Sequence, residues 1–327
     1  MSSDVTTPRK PKFNQVIRSG IAGGIAGCVA KTVVAPLDRV KILFQASNPE
    51  YQKYAGTWSG AFCAGRQIYH ESGVRGLFQG HSATLLRIFP YAAIKFMAYE
   101  RAHQILMPTR QQETNFRRFT AGAISGTLSV LCTYPLDLIR VRMAFHTQST
   151  QSPDSSTRPS FSQAFRQVYT EGSSIPKSQN NIKTCAIFNR FPLLKFYRGF
   201  SVTMTGMVPY AGVSFLSWGF LRSKFLSPSQ TGHKTPTPVA DLVIGAISGA
   251  TAQTASYPFE VIRRRMQVGG ITRPNEWLRW GETIKIIWQT RGWRGFYVGL
   301  SIGYLKVVPM TAVSFAVWQS GKRLLNV

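Results

Sequence analysis

Three hexapeptides place a proline, an acid two residues on and a base three residues after that: Pro36-Leu-Asp38-Arg-Val-Lys41, Pro135-Leu-Asp137-Leu-Ile-Arg140 and Pro258-Phe-Glu260-Val-Ile-Arg263. Acids and bases at one register in three stretches are suited to pairing with one another across those stretches. Four more bases, Lys31, Arg87, Lys95 and Lys306, interrupt otherwise apolar segments without an unpaired acid near the segment centres. If those segments cross a membrane, each base costs roughly 2.5–3.5 kcal/mol or more and normally faces an aqueous pathway. The chemistry on offer is therefore ion pairing and capture of a polyanion. Bond-making chemistry has no comparable signature. The chain shows no catalytic triad, no paired catalytic carboxylates and no phosphate-cradling glycine loop. Cys28, Cys63, Cys132 and Cys185 have neither CxxC nor metal spacing, and the five histidines do not cluster. An enzyme, a metal centre and a bound cofactor are all disfavoured.

The elements that position these residues are themselves repeated. Thirteen and nine residues before each motif proline stand Gly23 and Gly27, Gly122 and Gly126, and Gly245 and Gly249. Downstream, each unit carries an aromatic-x-Gly, ending at Gly80, Gly199 and Gly299, with a second proline ten residues later at Pro90, Pro209 and Pro309. The chain is thus an internal triplication. Its units run over 13–107, 114–226 and 238–325, each an apolar Gly-bearing segment, a polar connection and a second apolar segment broken by proline. The middle unit is longer around 147–160 and 173–194, where Ser, Gln, Asn and Pro suggest solvated loops contributing little to any core.

At roughly 20 residues per crossing, six such segments fit the length. The mean hydropathy of −0.06 would also suit a soluble helical array, but mid-hydropathy is what helices around a wet cavity should show. Small-xxx-small faces let helices approach closely in lipid, and membrane bundles tolerate interior proline. The expectation is an all-α membrane protein with six spans in one transmembrane domain. The net charge of +26 raises nucleic acid as a partner. The bases are spread rather than gathered on one tail, however, and the three motif-bearing loops are each net basic, as the positive-inside tendency favours. The first twelve residues read neither as a signal peptide nor as a convincing transit peptide.

The triplicate Px[DE]xx[KR] pattern, with its glycine–aromatic partner and units of about 100 residues, resembles the mitochondrial carrier family from about Phe13 to about Leu325. The resemblance implies a pseudo-threefold barrel with short matrix-side helices, monomeric, in the inner mitochondrial membrane, with both termini facing the intermembrane space. It implies alternating access to a central site, and lipid, cardiolipin included, around the barrel. A matrix gate would consist of Asp38–Arg140, Asp137–Arg263 and Glu260–Lys41, braced by Gln45 and Gln267; the third brace is missing because Ala144 occupies its place. A cytoplasmic ring would retain Glu100, Arg222 and Lys322, with one acid only, so that gate should be weak.

By register with the family, Arg87, Gly206 with Met207, and Lys306 match substrate contact points. Gly followed by an aliphatic residue resembles carriers that handle adenine nucleotides, with glycine leaving a slot for a flat purine. Arg87 and Lys306 would take phosphates, arginine as a fork and lysine as a point charge. Tyr91 and Lys95 share a helix face with Arg87, and Lys31 lies near the same level. Strings such as YPLDLIRVRMAF and SYPFEVIRRRMQ resemble the coenzyme A branch, and RRRMMM of the ADP/ATP exchanger is absent. The expected substrate is coenzyme A, with ATP/ADP or another adenine nucleotide as the alternative within the class. A non-transporting membrane scaffold is the alternative from another class.

Overall fold

The computed structural model describes residues 13–57, 59–108, 113–147, 160–171, 191–225, 238–272 and 278–324. Every regular element among them is helical: α1 (Phe13–Gln45), α2 (Gly60–Leu77), α3 (His81–Leu106), α4 (Asn115–Phe145), α5 (Phe161–Thr170), α6 (Phe200–Phe225), α7 (Pro238–Thr272), α8 (Trp280–Arg291), α9 (Leu300–Leu305) and α10 (Val307–Leu324). The six long helices of the triplication are α1, α3, α4, α6, α7 and the α9–α10 pair. The shorter α2, α5 and α8 connect the two halves of each unit. Five motif and partner prolines, Pro36, Pro90, Pro135, Pro209 and Pro258, lie inside continuous helices. Only the last span breaks. It does so at Lys306, which separates α9 from α10.

Packing closes a ring. The most extensive contacts join α3 to α4, α6 to α7 and α1 to α10, so the second span of each unit lies along the first span of the next. The C-terminal halves of α1, α4 and α7 also meet one another, and the largest apolar cluster sits at this convergent end. It combines Leu43 and Phe44 of the first unit with Phe145 of the second and Val268 and Ile302 of the third.

The aromatic-x-Gly motifs serve this convergence. Gly80, Gly199 and Gly299 adopt φ of +84°, +83° and +84°, a left-handed conformation that glycine reaches without a Cβ penalty. A Cβ on Gly80 would lie 2.8 Å from the Arg140 carbonyl oxygen, and one on Gly199 3.4 Å from that of Arg263. Each motif therefore seats one unit against the motif-bearing helix of the next.

The outer surface is apolar. Ile25, Phe96, Phe119, Leu216, Leu242 and Val308, from all six spans, are each more than half exposed, a belt that water opposes and lipid accepts. Among the described residues, by hydropathy and length alone, only Phe116–Phe145 and Trp280–Gly321 qualify as membrane-crossing, the latter containing the last span. The other spans dilute their hydropathy with inward charge and small polar residues. Repeat symmetry, not hydropathy, identifies them.

The glycine faces depart from expectation. A Cβ at Gly23, Gly27, Gly122, Gly126 or Gly249 would meet no neighbour within 4 Å, and only Gly245 makes a contact, at 3.3 Å from the Trp218 ring. With the spans gathered at one end, these faces oppose no neighbouring backbone. Close approach falls instead on Gly24 against Phe89, Gly321 against Ala22 and Gly206 against Phe259. Most of the long connection in the middle unit lies outside the described residues. At its described end, Phe191, Leu193 and Leu194 are exposed.

Candidate functional site

The site lies where α1, α4 and α7 converge. Each motif acid meets the base of the next unit. Arg140 Nη2 donates to Asp38 Oδ2 at 3.1 Å, Lys41 Nζ donates to Glu260 Oε2 at 2.9 Å, and Arg263 Nη2 donates to Asp137 Oδ2. The two expected glutamines are in place, Gln45 Nε2 at 3.2 Å from Glu260 Oε2 and Gln267 Nε2 at 3.3 Å from Asp137 Oδ2.

The tyrosines before two motif prolines add a second support. Lys41 Nζ lies 5.1 Å from the centre of the Tyr257 ring and Arg263 Cζ 5.4 Å from that of Tyr134, within cation–π range. Tyr134 and Tyr257 also donate their hydroxyls to the Arg198 and Val298 carbonyls at 2.8 and 3.0 Å. The first corner lacks both supports, because Ala35 stands where the tyrosine would be and Ala144 where the glutamine would be. A crevice opens there, lined by Ala35, Asp38, Gly80, His81, Arg140 and Ala144.

Two of the four bases expected to be unpaired lean on motif acids instead. Lys306 Nζ lies 2.8 Å from Asp38 Oδ1, and Arg87 Nη1 lies 3.7 Å from Asp137 Oδ1. The span centres have no acids, but the convergent end supplies carboxylates within side-chain reach. Arg264, for which the sequence reading had no role, adds a further cation at 3.4 Å from Asp137. Its signal was present: six residues after the motif prolines the chain carries Ile42, Val141 and Arg264, a single charge in an otherwise apolar row.

A family model described as "Mitochondrial carrier protein" matches residues 13–110, 111–174 and 234–327. The chain belongs to the mitochondrial carrier family. Its relatives include "Mitochondrial carrier protein LEU5" of Saccharomyces cerevisiae, 44% identical over 95% of this chain and 90% of the relative. Human "Solute carrier family 25 member 16" is 38% identical over 95% of this chain and 89% of its own. Maize "Mitochondrial carrier protein CoAc2" is 36% identical over 97% and 89%. Family members are transporters of the inner mitochondrial membrane, not enzymes.

In this carrier, Tyr91 sits between two bases, its ring centre 5.7 Å from Arg87 Cζ and 6.0 Å from Lys95 Nζ. The shared helix face of 87, 91 and 95 is therefore realised. Lys31 Nζ points to Met310 Sδ at 3.5 Å, joining the first span to the last. Gly206, expected to leave a purine slot, packs closely against the third unit. A Cβ there would lie 2.8 Å from Phe259 Cβ, so glycine is required for α6 to pack on α7 and leaves no open slot on that side. Neighbouring Met207 is 39% exposed.

At the other end of the barrel, Glu100 and Arg222 are exposed, and among the described residues no ion pair joins them. The Lys322 side chain lies outside the described residues. His103, which takes the place of the first unit's base, lies 3.7 Å from Glu113.

A buried triad went unread in the sequence. Glu171, at the end of α5, receives Arg142 on one carboxylate oxygen and Arg198 on the other, the latter at 2.8 Å, with both arginine side chains 1% exposed. Burial pulls the Arg198 guanidinium down to about 10, opposed by the Glu171 charge. A Cβ on Gly270 would overlap the Glu171 carboxylate, and Arg142 Nε donates to the Gln267 carbonyl, so the triad bolts the second unit to the third. The middle residue of Tyr197-Arg198-Gly199 was its one visible sign.

Proposed function

We propose that this carrier moves coenzyme A across the inner mitochondrial membrane by alternating access. The observation that carries this reading is the set of bases Lys31, Arg87 and Lys306 around the convergent end, with Tyr91 flanked by Arg87 and Lys95. Coenzyme A presents a flat adenine and three phosphate groups. Aromatic stacking on Tyr91 suits the base, and the forked guanidinium and lysine ammonium suit the phosphates. The name of the maize relative, CoAc2, points the same way. In this reading Asp38, Lys41, Asp137, Arg140, Glu260 and Arg263, braced by Gln45 and Gln267, form the gate on the matrix side. Glu100, Arg222 and Lys322 form the gate on the cytoplasmic side, and both termini face the intermembrane space. The three repeats act as one monomeric domain, with cardiolipin among its lipid partners.

The bases also suit ATP/ADP, which is the second reading. A scaffold that transports nothing would have no use for so many bases within its spans, each of which costs insertion energy. Reconstitution into liposomes separates the three. Faster uptake of labelled coenzyme A than of ADP supports the proposal. A preference of about tenfold or more for ADP, roughly 1.4 kcal/mol, transfers the assignment to nucleotides. Folded protein that takes up neither is a scaffold.

A further inference from the structure

Charge at the convergent end does not balance. Asp137, with its side chain 3% exposed, lies within 4 Å of three guanidinium groups, those of Arg263, Arg264 and Arg87. Asp38 lies within 4 Å of two bases, Arg140 and Lys306. One carboxylate charge neutralises one base, and buried surplus charge is costly unless a counter-ion completes it. Arg263 already fills the pairing role that the repeat assigns to its position, with a tyrosine ring beside it. Arg264 fills no such role, because its counterparts Ile42 and Val141 make no ion pair. Its second partner is neutral: Arg264 Nη1 donates to Gln267 Oε1 at 2.9 Å. Its side chain keeps 17% of its exposure, close to the 19% of Arg263 and against 1% for Arg142 and Arg198, so solvent reaches it where it does not reach those two.

We infer that Arg264 is a substrate ligand, a phosphate-binding base that shares Asp137 with Arg87 and exchanges that carboxylate for substrate phosphate. This rests on the phosphorylated-substrate reading and extends it to a residue outside the family-matched contact points. A phosphomonoester carries about −1.5 to −2 charges at neutral pH, so coenzyme A, with a 3′-phosphate and a diphosphate, brings enough charge to engage Arg87, Arg264 and Lys306 together. Binding frees Asp137 and Asp38 from their additional bases, leaving each with its single partner from the next unit. Occupancy of the site and loosening of the gate then become one event.

The test is a binding titration on purified full-length carrier with AMP, ADP, coenzyme A and inorganic tripolyphosphate, comparing wild type, Arg264→Gln and Arg264→Lys. In wild type, affinity should rise with phosphate charge. Arg264→Gln should weaken coenzyme A and tripolyphosphate by about tenfold to a hundredfold, the size of a lost charge-assisted contact, and AMP by much less. Arg264→Lys should recover most of the loss, and it replaces the glutamine variant as the test if that protein does not fold. Its loss of the fork should then cost ADP and coenzyme A more than AMP. Equal losses for all ligands, or none, would make Arg264 a gate brace only and overturn the inference. If wild type binds tripolyphosphate but no adenine compound, the coenzyme A reading fails and the Arg264 inference is judged on tripolyphosphate. Binding of neither overturns both.

Discussion

Lys306 Nζ lies 2.8 Å from Asp38 Oδ1, at the one gate corner that lacks a glutamine brace and a tyrosine platform. A residue at a register the family resemblance assigns to substrate contact thus supports Asp38 where the repeat is imperfect. The crevice beside Ala144 is the room left by the missing side chain. Ala144→Gln should fill it, donate to Asp38 and make Lys306 redundant there. One added hydrogen bond is worth about 0.5–1.5 kcal/mol. The unliganded protein should melt a few degrees higher and transport more slowly. An unchanged melting temperature would show that the brace position no longer reaches Asp38.

The corners should differ in their tolerance of charge reversal. Asp137 is crowded by Arg87 and Arg264 as well as Arg263, so Asp137→Arg with Arg263→Asp brings three like charges together and should rescue poorly. Among the described residues Glu260 has one base within 4 Å, Lys41, and its side chain is 40% exposed. Lys41→Glu with Glu260→Lys should therefore recover more transport than either single change, giving a positive coupling in a double-mutant cycle. Equal rescue at both corners would rule out the crowding.

Gly206→Ala should destabilise the carrier before any substrate is added. Its Cβ would sit 2.8 Å from Phe259 Cβ, and overpacking of this kind costs typically 1–3 kcal/mol. A lowered melting temperature without ligand is the expected result. Normal stability with lost binding of every adenine compound would restore the purine slot.

Removing the charge of Glu171 leaves two arginines, each 1% exposed, without a counter-ion. Breaking a buried pair in this way costs about 3–5 kcal/mol. Glu171→Gln should lower folded yield and melting temperature sharply, while Glu71→Gln, whose partners include the Tyr51 hydroxyl at 2.8 Å, should cost less. Similar small effects at both positions would show that the triad is not a bolt.

His146, just beyond α4, supplies a pH dependence. Burial lowers its pKa below the ordinary histidine value, against a smaller raising effect from Gln167. The unfolded chain therefore binds the proton more readily than the folded protein. The contribution to stability is complete above about pH 6.5 and is lost as pH falls through the lowered folded value. Between about pH 7.5 and 5.5, the melting temperature of wild type should drop further than that of His146→Gln. Parallel curves would remove His146 as the source.

The sequence by itself determined the triplication, and through it the six spans, while its resemblance to the family supplied the partner of each motif acid and the two glutamine braces. The motif prolines, acids and bases recur at one register in every unit and the glutamine in two of the three, so three copies read together reveal what a single copy hides. It also placed Arg87, Tyr91 and Lys95 on one face, because helical periodicity is local. Only the tertiary structure decided that Lys306 and Arg87 rest on Asp38 and Asp137, and that Gly206 serves Phe259. The same holds for Glu171 beneath two arginines and for the gaps that the small-xxx-small faces look onto. The contacts of Lys306, Arg87 and Gly206 join units at positions where the units differ, the Glu171 pairs lie within the middle unit, and the spacing between glycine faces is set by how the helices converge. Symmetry says nothing there, and the partner is chosen by which side chains the converging helices bring within a few ångströms.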